Sequence, residues 1–277
     1  MIGQIDRVIE LQRMSRSGAA KKKPKIFSFA SGKGGTGKTV LALNIAYSLA
    51  KQNKKVLLVD LDSNLSNVDI MLNIIAQKTL GDFYTSRRML DDLITEYEPN
   101  LHIIFGDSGQ VEYPLPKVEL VNYFFKQIEK IEENYDYIFL DTAAGANDNL
   151  LKILTSSDFV VMVTNPEPTA VMDAYVVLKF LKSRGCKSEK HVIVNKTFEK
   201  EDGEITFNNL LTAAGHFLNE KVSFMGAVSF SSEITKSIMS QSLLLKARPE
   251  SKPSKQISRL SKKFIEIAHM ANIRQGL

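Results

Sequence analysis

The residues best suited to do chemistry form one short segment, Ser31-Gly32-Lys33-Gly34-Gly35-Thr36-Gly37-Lys38-Thr39. It fits the phosphate-loop pattern G-x-x-x-x-G-K-[ST]. A glycine-rich backbone can curl so that its N–H groups point at phosphate oxygens, and a helix that begins there adds partial positive charge. We therefore expect Lys38 to reach the β- and γ-phosphates of a nucleotide and Thr39 to ligate Mg²⁺.

The position of this segment supports the same interpretation. It follows an apolar run, Ile26–Ala30, and opens a helical pattern over Gly37–Gln52, which is the strand–loop–helix context that a phosphate loop requires. The alternative is a glycine-rich turn that binds no ligand. The predicted phosphate-binding residues are Gly32, Lys33, Gly34, Gly35, Thr36, Gly37, Lys38 and Thr39.

Carboxylates end two other predicted strands. Asp60 and Asp62 stand two residues apart at the end of one, and Asp141 ends the run Tyr137-Ile138-Phe139-Leu140. In a doubly wound fold the carboxyl ends of such strands lie beside the phosphate loop. Asp141 has the place of a Walker B aspartate, which would hold Mg²⁺ through water, with Ala143-Ala144-Gly145 as a flexible switch. A solvated acidic turn is the alternative for Asp60 and Asp62.

Seven short apolar runs alternate with longer helical patterns, and most of them are apolar almost throughout. This pattern predicts an α/β fold with a doubly wound, mostly parallel sheet and helices on both faces. The helical patterns include Val118–Glu132 and Pro168–Ser183. The predicted strands are Ile26–Ala30, Val56–Asp60, Leu101–Phe105, Tyr137–Asp141, Phe159–Thr164, His191–Asn195 and Val222–Val228.

The net charge of +5 over 277 residues is distributed unevenly. Residues 1–25 carry seven Lys or Arg against two Asp or Glu, and residues 246–277 carry eight against two. The remaining 21 basic and 27 acidic residues give the middle of the chain a charge of −6. We expect three regions: an amphipathic segment and basic linker (1–24), an ATPase-like domain (25–245), and a linker with an amphipathic helix (246–277). Basic ends of this kind usually meet an anionic partner.

Several classes of protein and site are disfavoured. Cys186 is the one cysteine, so an intrachain disulfide is impossible and a Cys-rich metal site is excluded. No apolar run approaches the roughly 20 residues of a membrane span, and the amino terminus lacks the apolar core of a signal peptide. A cytoplasmic location is the expectation.

Lys33, a second lysine inside the loop, makes the pattern more specific. The segment K-G-G-x-G-K-T resembles the deviant Walker A motif of the MinD/ParA family of ATPases. The resemblance implies a MinD-like P-loop fold, ATP and Mg²⁺ as cofactors, and a homodimer when ATP is bound. It also implies that Lys33 acts on the partner subunit's nucleotide, much as an arginine finger does. The alternative is a lysine that holds only its own subunit's phosphates.

The same resemblance assigns further roles. Asp62 would position the attacking water, so that Lys33, Lys38 and Asp62 form the predicted catalytic set. Asp60 would join Thr39 and Asp141 around Mg²⁺, and Asn67 would hold its segment against the partner. Asn195, in Ile193-Val194-Asn195-Lys196, would bind the adenine base, although a plain strand-terminal Asn is the alternative.

Within this family, the chain resembles the flagellar-number regulators of the FlhG, FleN and YlxH type. The segment from Thr164 to Tyr175 resembles their P-E-P-T-x-x-x-D-A-Y stretch, and Asp141–Gly145 resembles their D-T-x-A-G. Two departures from these proteins stand out. Asn64 replaces their usual Gly, and in the segment that begins at Gly226 and resembles their G-x-I-P-x-D stretch, Ser229 and Ser231 replace Pro and Asp. The implied partners are an FlhF-type GTPase and a flagellar transcription activator.

The two ends carry separate expectations. Residues 1–14 form a short amphipathic pattern that keeps Gln4 of a GTPase-activating motif but lacks its leading Asp and its Leu-Arg pair. In the last helix, predicted over Ser254–Asn272, one apolar stripe opposes a basic face. Such a helix either binds an anionic membrane surface reversibly or packs on its own domain. The stripe comprises Ile257, Leu260, Phe264, Ile267, Ala268 and Ala271.

The prediction is therefore a slow, dimerisation-dependent ATPase that acts as a switch in flagellar number or placement. A MinD-like division-site ATPase and a ParA-like DNA-partition ATPase are the alternatives within the family. Nucleic acid binding is disfavoured because the chain has no helix-turn-helix or basic-aromatic stretch. A metabolic kinase or ligase would need a substrate site that no set of residues marks.

Overall fold

The computed structural model describes residues 23–62, 66–107, 118–218 and 221–275. Its centre is an eight-stranded sheet in the order β3-β4-β2-β5-β1-β6-β7-β8. The strands are β1 (Lys25–Ala30), β2 (Val56–Leu61), β3 (Thr95–Glu98), β4 (Leu101–Ile104), β5 (Tyr137–Thr142), β6 (Phe159–Thr164), β7 (Glu189–Thr197) and β8 (Val222–Ser229).

Helices follow most of the strands, as a parallel sheet requires. They are α1 (Lys38–Ala50), α2 (Val68–Leu72), α3 (Leu80–Tyr84), α4 (Val118–Ile131), α5 (Asp148–Thr155), α6 (Pro168–Ser183), α7 (Asp202–Leu218), α8 (Ser232–Met239), α9 (Leu244–Ala247) and α10 (Lys252–Gln275). Two 3₁₀ turns lie at Asp91–Leu93 and Glu132–Asn134.

All seven predicted strands are present and pair in parallel with one another, so the predicted fold class is confirmed. Four of them, β1, β2, β5 and β6, are buried at every position. Strands buried on both faces need apolar residues throughout, which explains their continuous apolar runs. Their carboxyl ends meet at one edge of the sheet.

The eighth strand, β3, was not predicted. It pairs with β4 in an antiparallel hairpin at the sheet edge, through a turn at Pro99-Asn100 in which Asn100 has φ 68°. The sequence of β3, Thr-Glu-Tyr-Glu, is short, polar and only half-buried, so hydrophobic patterning does not reveal it. The Pro-Asn pair was the local signal for the turn.

Alternate residues of the central strands point to opposite faces of the sheet. Phe27 and Leu58 belong to the cluster formed with α1 and α10. Ile26 and Leu57 face α4 on the opposite side. A third cluster joins β6 and β7 to α5, α6 and α7. The core therefore has two layers, separated by the sheet.

The carboxyl-terminal helix α10 packs on the domain. Five residues of its predicted apolar stripe are buried, and Ile267 is half-buried against the same cluster. The ring of Phe264 lies 4.8 Å from that of Phe27 and 5.3 Å from that of Phe139, between ring centroids. Of the two roles that the sequence left open for this stripe, the structure shows the packed one. None of the described helices is long and apolar enough to cross a membrane.

Candidate functional site

The phosphate loop connects β1 to α1, as its sequence predicts. Gly37 precedes α1 with φ 90° and ψ 19°, a left-handed conformation that costs little only for glycine. Lys38 and Thr39 then begin the helix, with Lys38 buried. The loop therefore presents the helix amino terminus and its free N–H groups to the carboxyl edge of the sheet.

Gly32 is required for a different reason. A Cβ atom at this position would lie 2.2 Å from the backbone carbonyl carbon of Asp173 in α6, closer than any real contact. The loop backbone thus rests directly on α6. A Cβ at Gly34, by contrast, would have no atom within 4 Å.

Lys38 forms a buried ion pair beneath the loop. Its Nζ lies 2.6 Å from Asp141 Oδ1, and the side chains are 7% and 1% exposed. The second carboxylate oxygen of Asp141, Oδ2, is buried and has no hydrogen-bond partner among the residues that the structure describes. Buried carboxylate oxygens are rarely left unpaired, so this atom is suited to a ligand that brings a donor or a cation.

Asp60 is the neighbour of Asp141 across the sheet. The two residues are in register on β2 and β5. Burial and then repulsion from Asp141 raise the pKa of Asp60 to about 7, while hydrogen bonds from Ser66 Oγ (2.6 Å) and the Asp62 backbone N–H (3.1 Å) oppose that rise. Two buried carboxylates therefore share the single ammonium group of Lys38.

These residues fit Mg²⁺ and a nucleotide. When both carboxylates are ionised, the single Lys38 ammonium group neutralises only one of their two negative charges. Mg²⁺ binds carboxylate oxygens of this kind, directly or through its water shell. Thr39, the other predicted ligand, lies in the first turn of α1, next to Lys38. The predicted metal residues Thr39, Asp60 and Asp141 thus belong to elements that converge at one edge of the sheet.

Asp62 follows β2, and its side chain is half-buried. Its backbone N–H is tied to Asp60, which fixes where the segment leaves the sheet. The predicted turn at Asn64 lies outside the described residues. Asn67 precedes α2 and is exposed.

Asn195 lies against the loop from the other side. Its Nδ2 donates to the Thr36 carbonyl oxygen at 2.8 Å, and its Oδ1 is buried and receives no hydrogen bond within the described part of the chain. A Cβ on Gly37 would meet Nδ2 at 2.2 Å, which shows how closely the two residues pack. The next residue, Lys196, donates from Nζ to the Gly35 carbonyl oxygen at 2.6 Å. The end of β7 therefore braces the phosphate loop.

Lys33 points away from the buried cluster. Its ammonium group donates to the carboxylate of Glu167 and, at 3.1 Å, to Thr169 Oγ1. The hydrogen bond from Lys33 lowers the pKa of Glu167, so this pair is ionised at neutral pH. Lys33 is 31% exposed and Glu167 60% exposed, so the pair lies on the surface beside the loop.

Four contributors to the site were not predicted from the sequence: Ser66, Asp173, Lys196 and the pair-forming role of Glu167. Ser66 lies in the same segment as Asp60 and Asp62, but a hydroxyl near an aspartate is too common to be a signal. The other three approach the loop from β7 and α6, more than a hundred residues along the chain. A local sequence pattern does not indicate a contact between segments so far apart in the chain.

Comparison with known proteins agrees with this geometry. A family described as an AAA domain matches residues 24–194, which is more than half of the chain. The flagellum site-determining protein YlxH of Helicobacter pylori is 32% identical over 244 residues, covering 87% of this chain and 82% of that protein. The antiactivator FleN of Pseudomonas aeruginosa is 28% identical over 91% of this chain and 90% of its own length.

Solved structures show the same fold. The septum site-determining protein MinD of Pyrococcus horikoshii, complexed with Mg-ADP, superimposes with a TM-score of 0.76 at 24% identity, covering 89% of this chain and 98% of that one. MinD of Pyrococcus furiosus gives 0.75 at 22% identity, over 88% and 99%. By its loop, its fold and its relatives, this chain belongs to the MinD/ParA family of P-loop ATPases, among the flagellar proteins of the YlxH and FleN type.

Proposed function

We propose that this protein is an ATP-dependent switch that dimerises across two bound nucleotides, hydrolyses ATP slowly and controls flagellar number or placement. The observation that carries the proposal is the buried group formed by Lys38, Asp60 and Asp141 beneath the phosphate loop. The names of its relatives, a flagellum site-determining protein and an antiactivator, support the cellular role.

The binding step would use residues of the phosphate loop and of the neighbouring strand ends. The loop N–H groups and Lys38 would hold the β- and γ-phosphates, and Asn195 would contact the adenine base. Thr39, Asp60 and Asp141 would hold Mg²⁺, which when bound neutralises phosphate charge. Phosphate oxygens would compete with Asp141 for the Lys38 ammonium group, so nucleotide binding would rearrange this ion pair.

The hydrolytic step needs two more residues. Asp62, anchored through its backbone to Asp60, would orient the attacking water. Lys33 would stabilise the charge that develops on the partner subunit's phosphoryl group. For this, Lys33 must leave Glu167 and Thr169 of its own chain, so the exposed ion pair describes a resting position that dimerisation would break.

Binding is tested with a fluorescent ATP analogue and Mg²⁺. Lys38→Ala should weaken binding about 10- to 100-fold, the range expected when a charge-assisted hydrogen bond is lost. Lys179→Ala, a change of the same type on the exposed face of α6, should have no effect. Asp62→Ala should bind ATP normally and accumulate as a dimer. Unchanged binding by Lys38→Ala would contradict the proposed site.

The output is tested in the organism that carries the gene. Deleting the gene should change the number or position of flagella seen by electron microscopy, and the Lys38→Ala allele should not restore them. A defect in septum position or in plasmid inheritance, with normal flagella, would favour the MinD-like or the ParA-like alternative instead. Capture of an FlhF-type GTPase or a transcription activator by the ATP-bound protein would identify the partner. Residues 1–14, for which the resemblance suggests a GTPase-activating role, lie outside the described residues.

Reversible membrane binding is part of the same proposal. The basic face of α10, including Lys255, Arg259 and Lys262, is exposed. Each such charge contributes about 1 kcal/mol near an anionic surface. Because the apolar stripe is part of the core, deleting the helix would unfold the protein, and charge removal is the cleaner test.

The triple variant Lys255→Gln, Arg259→Gln, Lys262→Gln should sediment less with phosphatidylglycerol vesicles than wild type in the presence of ATP. The matched control is Lys126→Gln, Lys179→Gln, Lys182→Gln, which removes three exposed charges from α4 and α6. Equal sedimentation of both triple variants would argue against α10 as the membrane surface. Equal wild-type binding with and without ATP would argue against a nucleotide-controlled membrane switch.

A further inference from the structure

A cavity lies at the end of the sheet opposite the phosphate loop, away from the candidate nucleotide site. It has a volume of about 670 Å³ and opens between the amino ends of β7 and β8 and the carboxyl-terminal half of α10. Pockets for small organic ligands usually measure roughly 300–1,000 Å³. This cavity shares no lining residue with the nucleotide site, so the inference below does not rest on the proposed function.

The lining of the cavity is strongly cationic. Five basic and two acidic side chains contribute to it, a net charge of +3. Arg274 Nη1 lies 2.7 Å from Glu189 Oε1, which balances one of the acids. Lys187, Lys221 and Lys263 are exposed and form no ion pair with a described residue. They approach from three different elements. Glu266, the second acidic side chain of the lining, offsets one of these charges, so the cavity keeps an excess of positive charge.

His191 supplies a buried polar group at the same place. It lines the cavity and is 6% exposed, and no described residue forms a hydrogen bond with its Nε2. The nearest carboxylate oxygen, Glu189 Oε2, is 3.9 Å away, beyond hydrogen-bond distance. Burial lowers the pKa of His191, so its ring is neutral at pH 7. In the tautomer that carries its proton on Nε2, the neutral imidazole would donate a hydrogen bond to a ligand oxygen.

The remaining wall is apolar. Phe224 and Met225 on β8 and Ile267 and Met270 on α10 line the cavity, and Met270 is 52% exposed. A bare inorganic anion would leave this surface uncovered. A ligand with both a charged and an apolar part would cover both surfaces.

We propose that this cavity binds an organic phosphate. Its phosphate group would lie among Lys187, Lys221 and Lys263 beside His191, and its apolar part on Ile267 and Met270. A soluble phosphorylated metabolite and the headgroup of an anionic phospholipid share this chemistry.

The test uses the full-length protein saturated with Mg-ADP, so that the nucleotide site is filled. Phenyl phosphate is the soluble probe and dioctanoyl phosphatidylglycerol, below its aggregation limit, is the lipid probe. Their uncharged, phosphate-free counterparts are phenol and dioctanoylglycerol. Binding is followed by NMR through the Met225 and Met270 methyl groups and the His191 ring.

At least one phosphate probe should shift these three signals in a saturable way, and which probe binds more tightly distinguishes the metabolite from the lipid. The double variant Lys221→Gln, Lys263→Gln should weaken that binding by about tenfold or more, as expected for two lost charge-assisted contacts. Lys126→Gln, Lys179→Gln, on exposed surfaces away from the cavity, should leave it unchanged. The proposal is overturned if neither probe shifts the signals, if the uncharged counterparts act equally, or if both double variants bind like wild type. Thermal unfolding and ATP binding of the variants confirm that they are folded.

Discussion

Asp60 and Asp141 lie side by side on adjacent strands, in register and both buried, with Lys38 Nζ 2.6 Å from Asp141 Oδ1. One ammonium group thus serves two carboxylates, and the pKa of Asp60 rises to about 7 because of burial and the charge of Asp141. The group formed by Lys38, Asp60 and Asp141 therefore holds a charge imbalance that Mg²⁺ would relieve. This relationship gives the first prediction.

The stability of the nucleotide-free protein should depend on the ionisation of Asp60. The folded pKa of Asp60, about 7, lies above the ordinary aspartate pKa of 3.8, so the folded state binds the extra proton between these values. The contribution of Asp60 to stability is therefore present at low pH and is lost as the pH rises from about 4 to about 7. In EDTA, the free energy of unfolding of Asp60→Asn relative to that of wild type should therefore increase as the pH rises from about 4 to about 7. Above pH 7 the difference should stay constant.

This prediction is measured by urea unfolding of both proteins at pH 5, 6, 7 and 8. The difference in the free energy of unfolding should change by a few kcal/mol in total, since one pKa unit corresponds to about 1.4 kcal/mol. A difference that is constant over the whole series would show that Asp60 titrates normally. Ser66→Ala keeps the carboxylate but removes a hydrogen bond that lowers the pKa of Asp60, so its pH dependence should persist and extend to higher pH.

The contact between Gly32 and α6 predicts an asymmetry between two glycines of the loop. Gly32→Ala places a methyl group 2.2 Å from a backbone atom of Asp173, so the loop or the helix must shift. We expect a loss of several kcal/mol and a lower melting temperature. Gly34→Ala meets nothing within 4 Å and has no positive φ, so the melting temperature should stay close to that of wild type. Equal melting temperatures for the two variants would contradict the close packing.

The packing of α10 predicts that its apolar stripe stabilises the fold. Phe264 is fully buried among the rings of Phe27, Phe29 and Phe139. Phe264→Ala should lower the free energy of unfolding by about 3–5 kcal/mol. Ile273→Ala, on the same helix but 46% exposed, should cost far less. If both changes have similar small effects in chemical denaturation, the helix is not part of the core.

The surface pair between Lys33 and Glu167 predicts an effect on assembly. If Lys33 must leave Glu167 to reach the partner subunit's nucleotide, Glu167→Gln removes a competing partner and should favour the ATP-bound dimer. Sedimentation equilibrium with ATP and the hydrolysis-blocking Asp62→Ala background would measure this. Glu199→Gln, on the surface beyond β7, is the control. A weaker dimer in Glu167→Gln would instead assign Glu167 to the interface.

The parts of this protein that are predictable from its sequence are those encoded locally. Gly37, Lys38 and Thr39 sit in the loop and helix that their spacing indicates, because the loop is defined by its own backbone conformation. The central strands are recognisable because burial on both faces demands apolar residues throughout. In contrast, β3 is stabilised by pairing with β4, and its own residues carry no apolar pattern.

Contacts between distant segments could not be predicted in the same way. The stripe containing Ile257 and Phe264 has the same periodicity whether it faces a membrane or the core, and only the position of Phe27 and Phe139 decides. Lys33 likewise meets Glu167 through the placement of α6, across 134 residues of chain. The raised pKa of Asp60 depends on the register between β2 and β5, which spacing along the chain does not define.

The central claim is that hydrolysis requires two subunits, with Lys33 acting across the interface. It is tested most directly by measuring phosphate release per subunit as a function of protein concentration, for wild type and Lys33→Ala at saturating Mg-ATP. The account predicts a rate that rises with concentration and then saturates for wild type, and a low rate that does not rise for Lys33→Ala. A wild-type rate independent of concentration, or a Lys33→Ala rate equal to that of wild type, would contradict it.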